Sequence, residues 1–397
     1  MLTAEENERL TRIGPGTPCG ELFRRYWQPV AMLSELSDAS PTKHVRVLGE
    51  DLVLFRDRCG RVGLLADHCA HRGASLLYGR VEERGIACAY HGWLYDIAGN
   101  CLETPAEPAD SRFHLTVKQR AYPVRAQYGL FWAYMGPAPA PSLMKWDLGE
   151  AGPLTISGPQ YFDCNWLQGM ENHMDQSHVF ILHQESASRG IEGLNTARGR
   201  IDFLDGLEYR EVPFGIKRKQ VHKSGYVDTD LMIFPNIQRT YDHIGIRVPI
   251  DDTHMLRYTV HVDLKLHAPL DGEPVGDGDK TIRFQPGWPR SKTPTDAIHP
   301  VARYAMNGVQ PQDLMALETQ GPIADRVTER LATSDRGIVL YREILKREID
   351  KVARGLDPIG IVRDPDPAPI DTDLQTWLEM TRRFPPQRTR APQPASR

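Results

Sequence analysis

The sequence has no apolar run long enough to form a helix across a bilayer, so it predicts no membrane-spanning segment. It begins Met1-Leu-Thr-Ala-Glu-Glu-Asn-Glu8, an acidic start that does not resemble a signal peptide. The sequence also has no excess of basic residues. The 48 Lys and Arg are balanced by 52 Asp and Glu, which is not the charge expected of a nucleic-acid-binding protein. We therefore expect a cytoplasmic protein without a membrane or nucleic-acid partner.

Cysteine is scarce as well. The 397 residues include six scattered cysteines, Cys19, Cys59, Cys69, Cys88, Cys101 and Cys164. Because they are few and far apart, a disulfide framework is excluded, and we expect the four outside the motifs described next to be ordinary thiols. A chain of this length has room for two or three domains.

Two of the cysteines belong to a pair of short Cys/His motifs. Cys69-Ala-His71 is followed, after sixteen further residues, by Cys88-Ala-Tyr-His91. Each motif supplies one thiolate and one imidazole, which suits a Rieske [2Fe–2S] cluster, where two cysteines hold one iron and two histidines the other. Structural zinc is the alternative, but zinc motifs usually space two cysteines by roughly two to four residues and two histidines by roughly three to five. We predict that Cys69, His71, Cys88 and His91 bind a Rieske cluster.

A glycine follows each motif, at Gly73 and Gly92. Glycine permits turns that direct backbone N–H groups toward the cluster sulfurs, although an ordinary turn also explains both residues. The segments Cys69-Ala-His-Arg-Gly73 and Cys88-Ala-Tyr-His-Gly-Trp-Leu-Tyr-Asp96 resemble the cluster loops of Rieske proteins. Neither contains the additional cysteine of respiratory Rieske proteins. They therefore resemble, more narrowly, the loops of Rieske non-haem iron oxygenases.

A second group of metal-binding residue types lies beyond residue 160. The sequence predicts one helix from Asp163, as its cap, to about residue 180, and Asp175 and His178 share a face of that helix. His183 is five positions beyond His178, about 140° around a regular helix, so the helix must bulge or end between them for both to bind one ion. Two histidines near a carboxylate are typical of a non-haem Fe(II) site, although a structural role also explains them.

Family resemblance assigns roles to these residues. Asn172, Asp175, His178 and His183 are spaced as in Rieske oxygenase catalytic domains. The resemblance implies that His178 and His183 are iron ligands and that Asn172 lines the iron site. It also implies that Asp175 bridges an iron-ligand histidine and a cluster histidine of a neighbouring subunit.

The third iron ligand is a carboxylate from later in the chain. Residue chemistry alone does not choose among Asp313, Glu318 and Asp325, each of which is otherwise an ordinary surface acid. The segment Gln312-Asp313-Leu-Met-Ala-Leu-Glu318 resembles the family's carboxylate-ligand segment, and that resemblance selects Asp313.

The rest of the sequence predicts a sheet beside helices. Residues 256–264 alternate between apolar and polar side chains, as in a strand with one buried face, and residues 231–234 and 244–250 predict neighbouring strands. Residues 270–298 predict a long polar loop, and residues 334–354 an amphipathic helix. The predicted fold class is α+β. The resemblance implies an N-terminal antiparallel β Rieske domain followed by a helix-grip catalytic domain.

The prolines of Gly136-Pro-Ala-Pro-Ala-Pro141 mark a domain boundary, and the end of the chain is of low complexity. The predicted division is an N-terminal lid segment packing on the next domain (1–44), the Rieske domain (45–141), the mononuclear iron catalytic domain (142–384) and a disordered tail (385–397).

The resemblance covers about residues 15 to 360 and is strongest to the single-subunit group that contains phthalate 4,5-dioxygenase and phenoxybenzoate dioxygenase. It implies a terminal oxygenase component, a homotrimer, that receives electrons from NAD(P)H through a separate flavin and iron–sulfur reductase. With O2 and mononuclear Fe(II), such an enzyme hydroxylates or O-demethylates a small aromatic substrate, here an aromatic carboxylate. A fixed arginine suits carboxylate binding, and the candidates, each also explained as a surface residue, are Arg198, Arg200, Arg218 and Arg239.

Two alternatives remain at this stage. A Rieske electron-transfer protein without oxygenase chemistry would carry the cluster and bind no iron at His178 and His183. A zinc-stabilised interaction protein would hold zinc at the first two motifs and contain no sulfide.

Overall fold

The structure is a computed structural model that describes residues 2–183, 206–221, 225–262, 274–277, 280–286 and 309–383. The predicted tail at 385–397 lies outside these residues, as do two candidate substrate arginines, Arg198 and Arg200. In the part of the chain that is described, no helix combines the length and apolar character needed to cross a membrane.

Two short helices come first, α1 (Ala4–Thr11) and α2 (Pro18–Arg24). α1 begins at a capping box, in which Thr3 Oγ1 accepts from the Glu6 N–H and the Glu6 carboxylate accepts from the Thr3 N–H. In α2, Phe23 packs edge-on against Trp166, with ring centroids 4.5 Å apart. The N-terminal helices thus contact residues that come more than a hundred positions later.

The next part of the chain is built of short strands. They are β1 (Trp27–Met32), β2 (Thr42–Val47), β3 (Glu50–Arg56), β4 (Val62–Ala66), β5 (Arg80–Glu82), β6 (Gly85–Ala87), β7 (Leu94–Tyr95), β8 (Cys101–Glu103), β9 (Ala121–Tyr122), β10 (Val124–Gln127) and β11 (Leu130–Tyr134). They form antiparallel sheets in the orders β1-β11-β10, β2-β3-β4-β9 and β5-β6-β7-β8. The predicted antiparallel β domain is confirmed.

The two Cys/His motifs lie in loops of this domain. The first follows β4, and the second joins β6 to β7. A hydrophobic core separate from that of the rest of the chain supports both loops, formed around Val53, Phe55, Leu65, Leu76, Val81, Ile86, Trp93 and Tyr95. Because the loops are anchored on packed strands, their ligands are held at fixed positions.

The second domain contains nine strands of one sheet and six helices within the described residues. In chain order the elements are α3 (Leu148–Ala151), β12 (Leu154–Phe162), α4 (Trp166–Met174), α5 (Ser177–Ile181), β13 (Leu207–Val212), β14 (Gly215–Val221), β15 (Val227–Ile233), β16 (Ile237–Thr240), β17 (His243–Asp251), β18 (His254–Val262), β19 (Pro274–Asp277), β20 (Lys280–Pro286), α6 (Val309–Glu318), α7 (Arg336–Ala353) and α8 (Leu374–Arg383).

The strands pair in the order β13-β14-β15-β16-β17-β18-β12-β20-β19. All neighbours are antiparallel except β12 and β20, which run parallel. A sheet with helices packed beside it is the layer architecture of an α+β domain, as the sequence predicts.

Helix α4 approaches the sheet closely at Gly169. A Cβ atom at this position would lie 2.6 Å from Met255 Cε and 2.8 Å from Arg247 Cδ, so a larger residue would force these side chains of β17 and β18 to move. Beside it, α7 buries the predicted apolar stripe, which includes Ile338, Tyr341 and Leu345. The chain that follows α4 is thereby held over the polar face of the sheet.

Three local expectations are wrong. The cap of α4 is Asn165, whose Oδ1 accepts from the Leu167 N–H, and not Asp163. The single predicted helix is two helices, because Asp175 is extended (φ −90°, ψ 112°) and interrupts the hydrogen-bond ladder. Within the predicted polar loop at 270–298, β19 and β20 are strands, because pairing with β12 outweighs their polar composition.

The predicted domain limits stay a prediction, but two observations bear on the first segment. β1 lies inside the predicted lid and pairs with β11 of the Rieske domain. The predicted limit at residue 44 falls inside β2. Residues 1–44 thus supply a strand to one domain and helices packed on the other.

Candidate metal centres and active site

The two cluster loops have the same backbone design. The Gly73 N–H donates to the Cys69 carbonyl at 2.8 Å, and the Gly92 N–H donates to the Cys88 carbonyl at 2.9 Å. Both glycines have a left-handed backbone, with φ of +74° and +73°, which other residues adopt only with strain. Each glycine therefore closes a tight turn around its cysteine.

The four predicted cluster ligands converge as two pairs. Cys69 and Cys88 are each 3% exposed, and the Cys69 thiol is close enough to Cys88 to raise the pKa of Cys88. The His71 and His91 rings lie nearer the surface, with centroids 4.4 Å apart. A sulfur pair beneath an imidazole pair is the donor arrangement that a Rieske cluster needs.

The electrostatics of the sulfur pair also fit a cluster. Burial raises the pKa of Cys88, and the neighbouring Cys69 thiol raises it further. Hydrogen bonds from the backbone N–H groups of Tyr90 and His91 lower it in part. Two thiolates at this spacing repel one another unless iron neutralises them. The backbone donors are positioned to stabilise negative charge on the sulfur.

Two aromatic residues that the sequence analysis did not single out touch the ligands. Tyr95 Oη lies 3.2 Å from Cys69 Sγ, and Trp93 stacks on the His71 ring at 4.2 Å with an interplanar angle of 7°. Hydrogen bonds to the sulfurs tune the potential of an iron–sulfur centre. Their position directly after the second motif, within Gly92-Trp-Leu-Tyr, was the available signal.

The structure brings together the three residues predicted to bind mononuclear iron. One ligand atom each of His178, His183 and Asp313 lies within 4.8 Å of the others. Asp313 Oδ1 is 3.0 Å from His183 Nε2 and 3.7 Å from His178 Nε2. Helix α5 ends at Ile181, between the two histidines, so the chain turns and brings His183 back beside His178.

The other two candidate carboxylates are engaged elsewhere. Glu318 Oε1 accepts from the Asp163 backbone N–H at 2.9 Å. Asp325 is at the surface, where it accepts from the Val327 N–H and the Thr328 hydroxyl. Within the described residues, Asp313 is the acid that meets both histidines.

Neighbouring amides orient these groups. Gln312 Oε1 lies 2.7 Å from His183 Nδ1, which leaves Nε2 directed at Asp313, and Asn172 Nδ2 donates to Asp313 Oδ1 at 3.3 Å. Burial opposes ionisation of Asp313, but the adjacent His183 and His178 hold the pKa of this carboxylate below its usual value. Burial lowers the pKa of His183, but its contacts with Asp313 and, to a lesser extent, Gln312 outweigh burial, so the pKa is raised.

The donor set fits a first-row divalent ion. Two imidazoles and one carboxylate on one side of a site leave open positions, as in non-haem Fe(II) oxygenases, where the iron binds and activates O2. His178 Nδ1 is buried without a hydrogen bond, 3.5 Å from Asp175 Oδ2. The Asp175 carboxylate accepts from the Ser177 N–H, and despite burial its pKa is lowered, chiefly by His178.

A pair of arginines missed by the sequence analysis lies beside this site. Arg247 and Arg257 are directly opposite each other in β17 and β18. Burial, and next the neighbouring Arg257 charge, lowers the pKa of Arg247 to about 9. Arg257 Nε is buried with no hydrogen-bond partner, and the carboxylate that opposes its charge is Asp313. Because the two residues are on different strands, only the register of the ladder brings them together, and the local sequence gives no signal of it.

The described arginine candidates from the sequence analysis are not surface residues. Arg218 is 6% exposed and pairs with Asp228 and Asp230, at 3.0 and 3.3 Å. Arg239 is fully buried and donates to the Thr229 carbonyl. The surface interpretation is therefore wrong for both.

Comparison with known proteins agrees with this geometry. Residues 26–123 match the Rieske [2Fe-2S] domain family, and residues 300–378 match the family described as LigXa C-terminal domain like. The chain is 38% identical to the 5,5'-dehydrodivanillate O-demethylase oxygenase subunit of Sphingobium sp., over 92% of this chain and 84% of that protein. It is 36% identical to the phenoxybenzoate dioxygenase subunit alpha of Ectopseudomonas oleovorans, over 89% and 87%.

Solved structures show the same fold. The terminal oxygenase of carbazole 1,9a-dioxygenase from Nocardioides aromaticivorans superposes with a TM-score of 0.57 at 18% identity, covering 87% of this chain and 96% of that one. The relatives align over the second domain as well as the first, which excludes an electron carrier alone, and the cluster domain matched is the iron–sulfur one rather than a zinc module. The chain belongs to the Rieske non-haem iron oxygenases, as a terminal oxygenase component that uses a [2Fe–2S] cluster and a mononuclear iron.

Proposed function

We propose that this oxygenase hydroxylates or O-demethylates an aromatic carboxylate whose carboxylate group is bound by Arg247 and Arg257 beside the mononuclear iron. The observation that carries the proposal is a buried pair of positive charges that Asp313 and Asp230 offset only in part. The printed side-chain hydrogen bond of Arg247 goes to the neutral amide of Gln238. Two guanidinium groups face each other across adjacent strands in a buried setting, which is unfavourable unless an anion joins them.

Among the described residues, the carboxylates near this pair are already engaged. Asp228 and Asp230 are already paired with Arg218, on strands farther along the sheet. Asp313 partly offsets Arg257, but an iron ion bound by Asp313 would take up its negative charge. The Nε donor of Arg257 therefore stays available, and a carboxylate accepts from guanidinium groups with matching geometry.

The names of two relatives agree with an acidic aromatic substrate. One relative is a dehydrodivanillate O-demethylase and the other a phenoxybenzoate dioxygenase. O-demethylation and dioxygenation are expected to use the same set of iron ligands. The arginine pair therefore indicates the class of substrate and not the type of oxygenation. Product analysis decides between them.

The remaining roles follow from the contacts. Cys69, His71, Cys88 and His91 would hold the cluster, and His178, His183 and Asp313 the mononuclear iron, with Asn172 hydrogen-bonded to Asp313. Electrons would come from NAD(P)H through a flavin and iron–sulfur reductase. None of the six cysteines, all of which lie in the described residues, forms a disulfide, which supports a reducing, cytoplasmic location.

We also place the productive electron path between subunits of a homotrimer. Asp175 lies against His178 with its carboxylate one quarter exposed, so its outer side can meet another chain. A partner's cluster histidine would complete the link there. Such a head-to-tail contact closes into a ring.

The experiment compares Arg257→Leu with Arg210→Leu, an exposed arginine on β13. Methoxybenzoates, phthalate and phenoxybenzoate are assayed beside their methyl esters, with a surrogate reductase, by O2 consumption and product mass. Loss of a charged hydrogen bond of about 1.5–3 kcal/mol predicts a roughly 10- to 150-fold fall in kcat/KM for the acid. The ester and the Arg210 variant should be unaffected, and an equal loss for acid and ester would refute carboxylate binding.

A further inference from the structure

A second group of metal-ligating side chains lies on the catalytic sheet, away from the proposed iron ligands. It consists of Asp242, His243 and His261, and one ligand atom of each lies within 4.8 Å of the other two. Among the described residues, this group and the iron-site triad are the two sets with that convergence. Neither the cluster nor the mononuclear iron uses it.

The strands fix the geometry of the group. His243 and His261 are direct partners in the β17–β18 ladder, so their Cβ atoms are close and on the same face. Their rings lie 5.2 Å apart between centroids, at 39° to each other. Asp242, just before β17, places Oδ1 3.2 Å from His243 Nδ1.

A neighbouring strand adds a hydroxyl. Ser157 of β12 lies with Oγ 3.4 Å from His261 Nε2. The side chains of His243 and Asp242 are largely buried, at 18% and 13% exposed, so ordering them around an ion costs little additional entropy. Two nitrogens and one carboxylate thus converge, and a hydroxyl lies beside one of the two imidazoles.

We propose that Asp242, His243 and His261 form a second binding site for a divalent first-row transition ion such as Zn²⁺. Two imidazoles and a carboxylate form a common protein donor set for Zn²⁺, which completes its coordination with water or a hydroxyl. An ion bound there ties the turn after β16 to the ends of β17 and β18. It stabilises the folded state because the ligands converge only when the sheet is formed.

The site is distinct from the iron site. On the sheet face that carries Arg247 and Arg257, the His243–His261 pair is four residues farther along the strands, about 13 Å at the usual rise per residue. The inference stands independently of the proposed substrate, since it uses neither arginine. It predicts one transition ion per chain beyond the iron of the two redox centres.

The test uses the intact iron-loaded protein. Wild type, His243→Ala, His261→Ala and His254→Ala are equilibrated with Zn²⁺ and desalted, and zinc, iron and sulfide are counted per chain. His254 is the matched control because it lies on β18, as His261 does, and also has a carboxylate partner, Asp251, but is exposed. Asp242→Asn serves as a milder variant, and unchanged iron and sulfide show that a variant is folded.

We expect one zinc per chain in wild type and in His254→Ala, and none in His243→Ala or His261→Ala, with a large loss of affinity in Asp242→Asn. Added Zn²⁺ should raise the thermal midpoint of the first two proteins only. The proposal is overturned if wild type keeps no zinc. It is also overturned if the His243 and His261 variants retain as much zinc as the control, which would mean adventitious surface binding.

Discussion

At the scale of single residues, the iron site depends on groups that do not themselves bind metal. Gln312 accepts the Nδ1–H of His183 at 2.7 Å, so the tautomer that presents Nε2 to the ion is favoured. Asp313 follows Gln312 on α6, and one helix therefore supplies both a proposed iron ligand and the group that orients another proposed ligand, His183. The cluster has a similar arrangement, because Trp93, just before β7, and Tyr95, in β7, both follow the second motif within a few residues and contact predicted ligands of the first motif.

This arrangement makes Gln312→Leu informative. The substitution removes the acceptor for His183 Nδ1 without touching a ligand, so we expect mononuclear iron affinity to fall by about 10- to 100-fold. Iron titration after chelation measures the loss, and the [2Fe–2S] spectrum should be unchanged because the cluster lies in the other domain. Gln320→Leu, at an exposed position just beyond α6, is the control. Full iron affinity in Gln312→Leu would contradict the orienting role.

At the scale of elements, α4 is positioned by a buried charge network on its rear side. Glu171 accepts from Arg326 Nη2 at 2.7 Å and from Arg342 Nε at 2.6 Å, and Arg342 also pairs with Glu329. This links α4 to the segment after α6 and to α7. The helix that precedes His178 is therefore fixed from behind by ion pairs and from in front by the close contact at Gly169.

We expect Glu171→Gln to destabilise the fold by about 3–5 kcal/mol at neutral pH, because two buried arginines lose their shared counter-charge. Burial opposes ionisation of Glu171, but Arg326 and Arg342 lower its pKa below the ordinary value of 4.5. Its stabilising contribution is complete above that pH and is lost as the pH falls through the lower folded-state pKa. Urea unfolding of wild type and variant should therefore differ most near pH 7 and converge in acid.

Glu343→Gln provides the comparison for that experiment. Glu343 is exposed on α7, one position after Arg342, and its substitution should change the urea midpoint little. A gap between wild type and Glu171→Gln that stays constant from pH 7 down through the acid range would show that packing, and not ionisation, accounts for the effect.

At the scale of the whole molecule, the two metal centres lie in different domains. The cluster loops rest on a small core of their own, while the larger core of the catalytic domain also takes in Rieske-domain residues such as Leu52, Leu54 and Leu64. The N-terminal segment joins the two domains, with β1 in a Rieske-domain sheet and α2 against the catalytic helices. Asp175 lies at the break between α4 and α5, where its carboxylate contacts the iron-site histidine and retains solvent access. We propose that a neighbouring chain contacts the protein at this position.

We expect Asp175→Asn to leave both metals bound and nearly to abolish turnover. An amide provides no negative charge to hold a protonated imidazole on either side, so electron transfer between the centres should become slow. Stopped-flow reoxidation of the reduced cluster, with substrate and O2 present, measures this step. Asp110→Asn, an exposed change in the Rieske domain, is the control. Normal reoxidation in Asp175→Asn would remove Asp175 from the electron path.

The sequence by itself predicted the cluster ligands, and its resemblance to a family predicted the residues of the mononuclear iron site. The mixed Cys/His motifs with their glycines, and the histidines around Asp175, are local patterns. Each pattern spans only a few consecutive residues, so its spacing can be read directly from the sequence. The α+β class followed in the same way, since alternation in strands such as β18 and the apolar stripe of α7 are written into consecutive residues.

Only the tertiary structure decided which distant groups meet. Asp313, Glu318 and Asp325 are equivalent acids in the sequence, and the packing of α6 against α4 is what sets Asp313 beside the histidines. Register in the β17–β18 ladder likewise creates the Arg247–Arg257 and His243–His261 pairs. Register depends on how whole strands align, and a shift of one residue would send each of these side chains to the opposite face. Pairings across the sheet therefore have no signature in the local sequence.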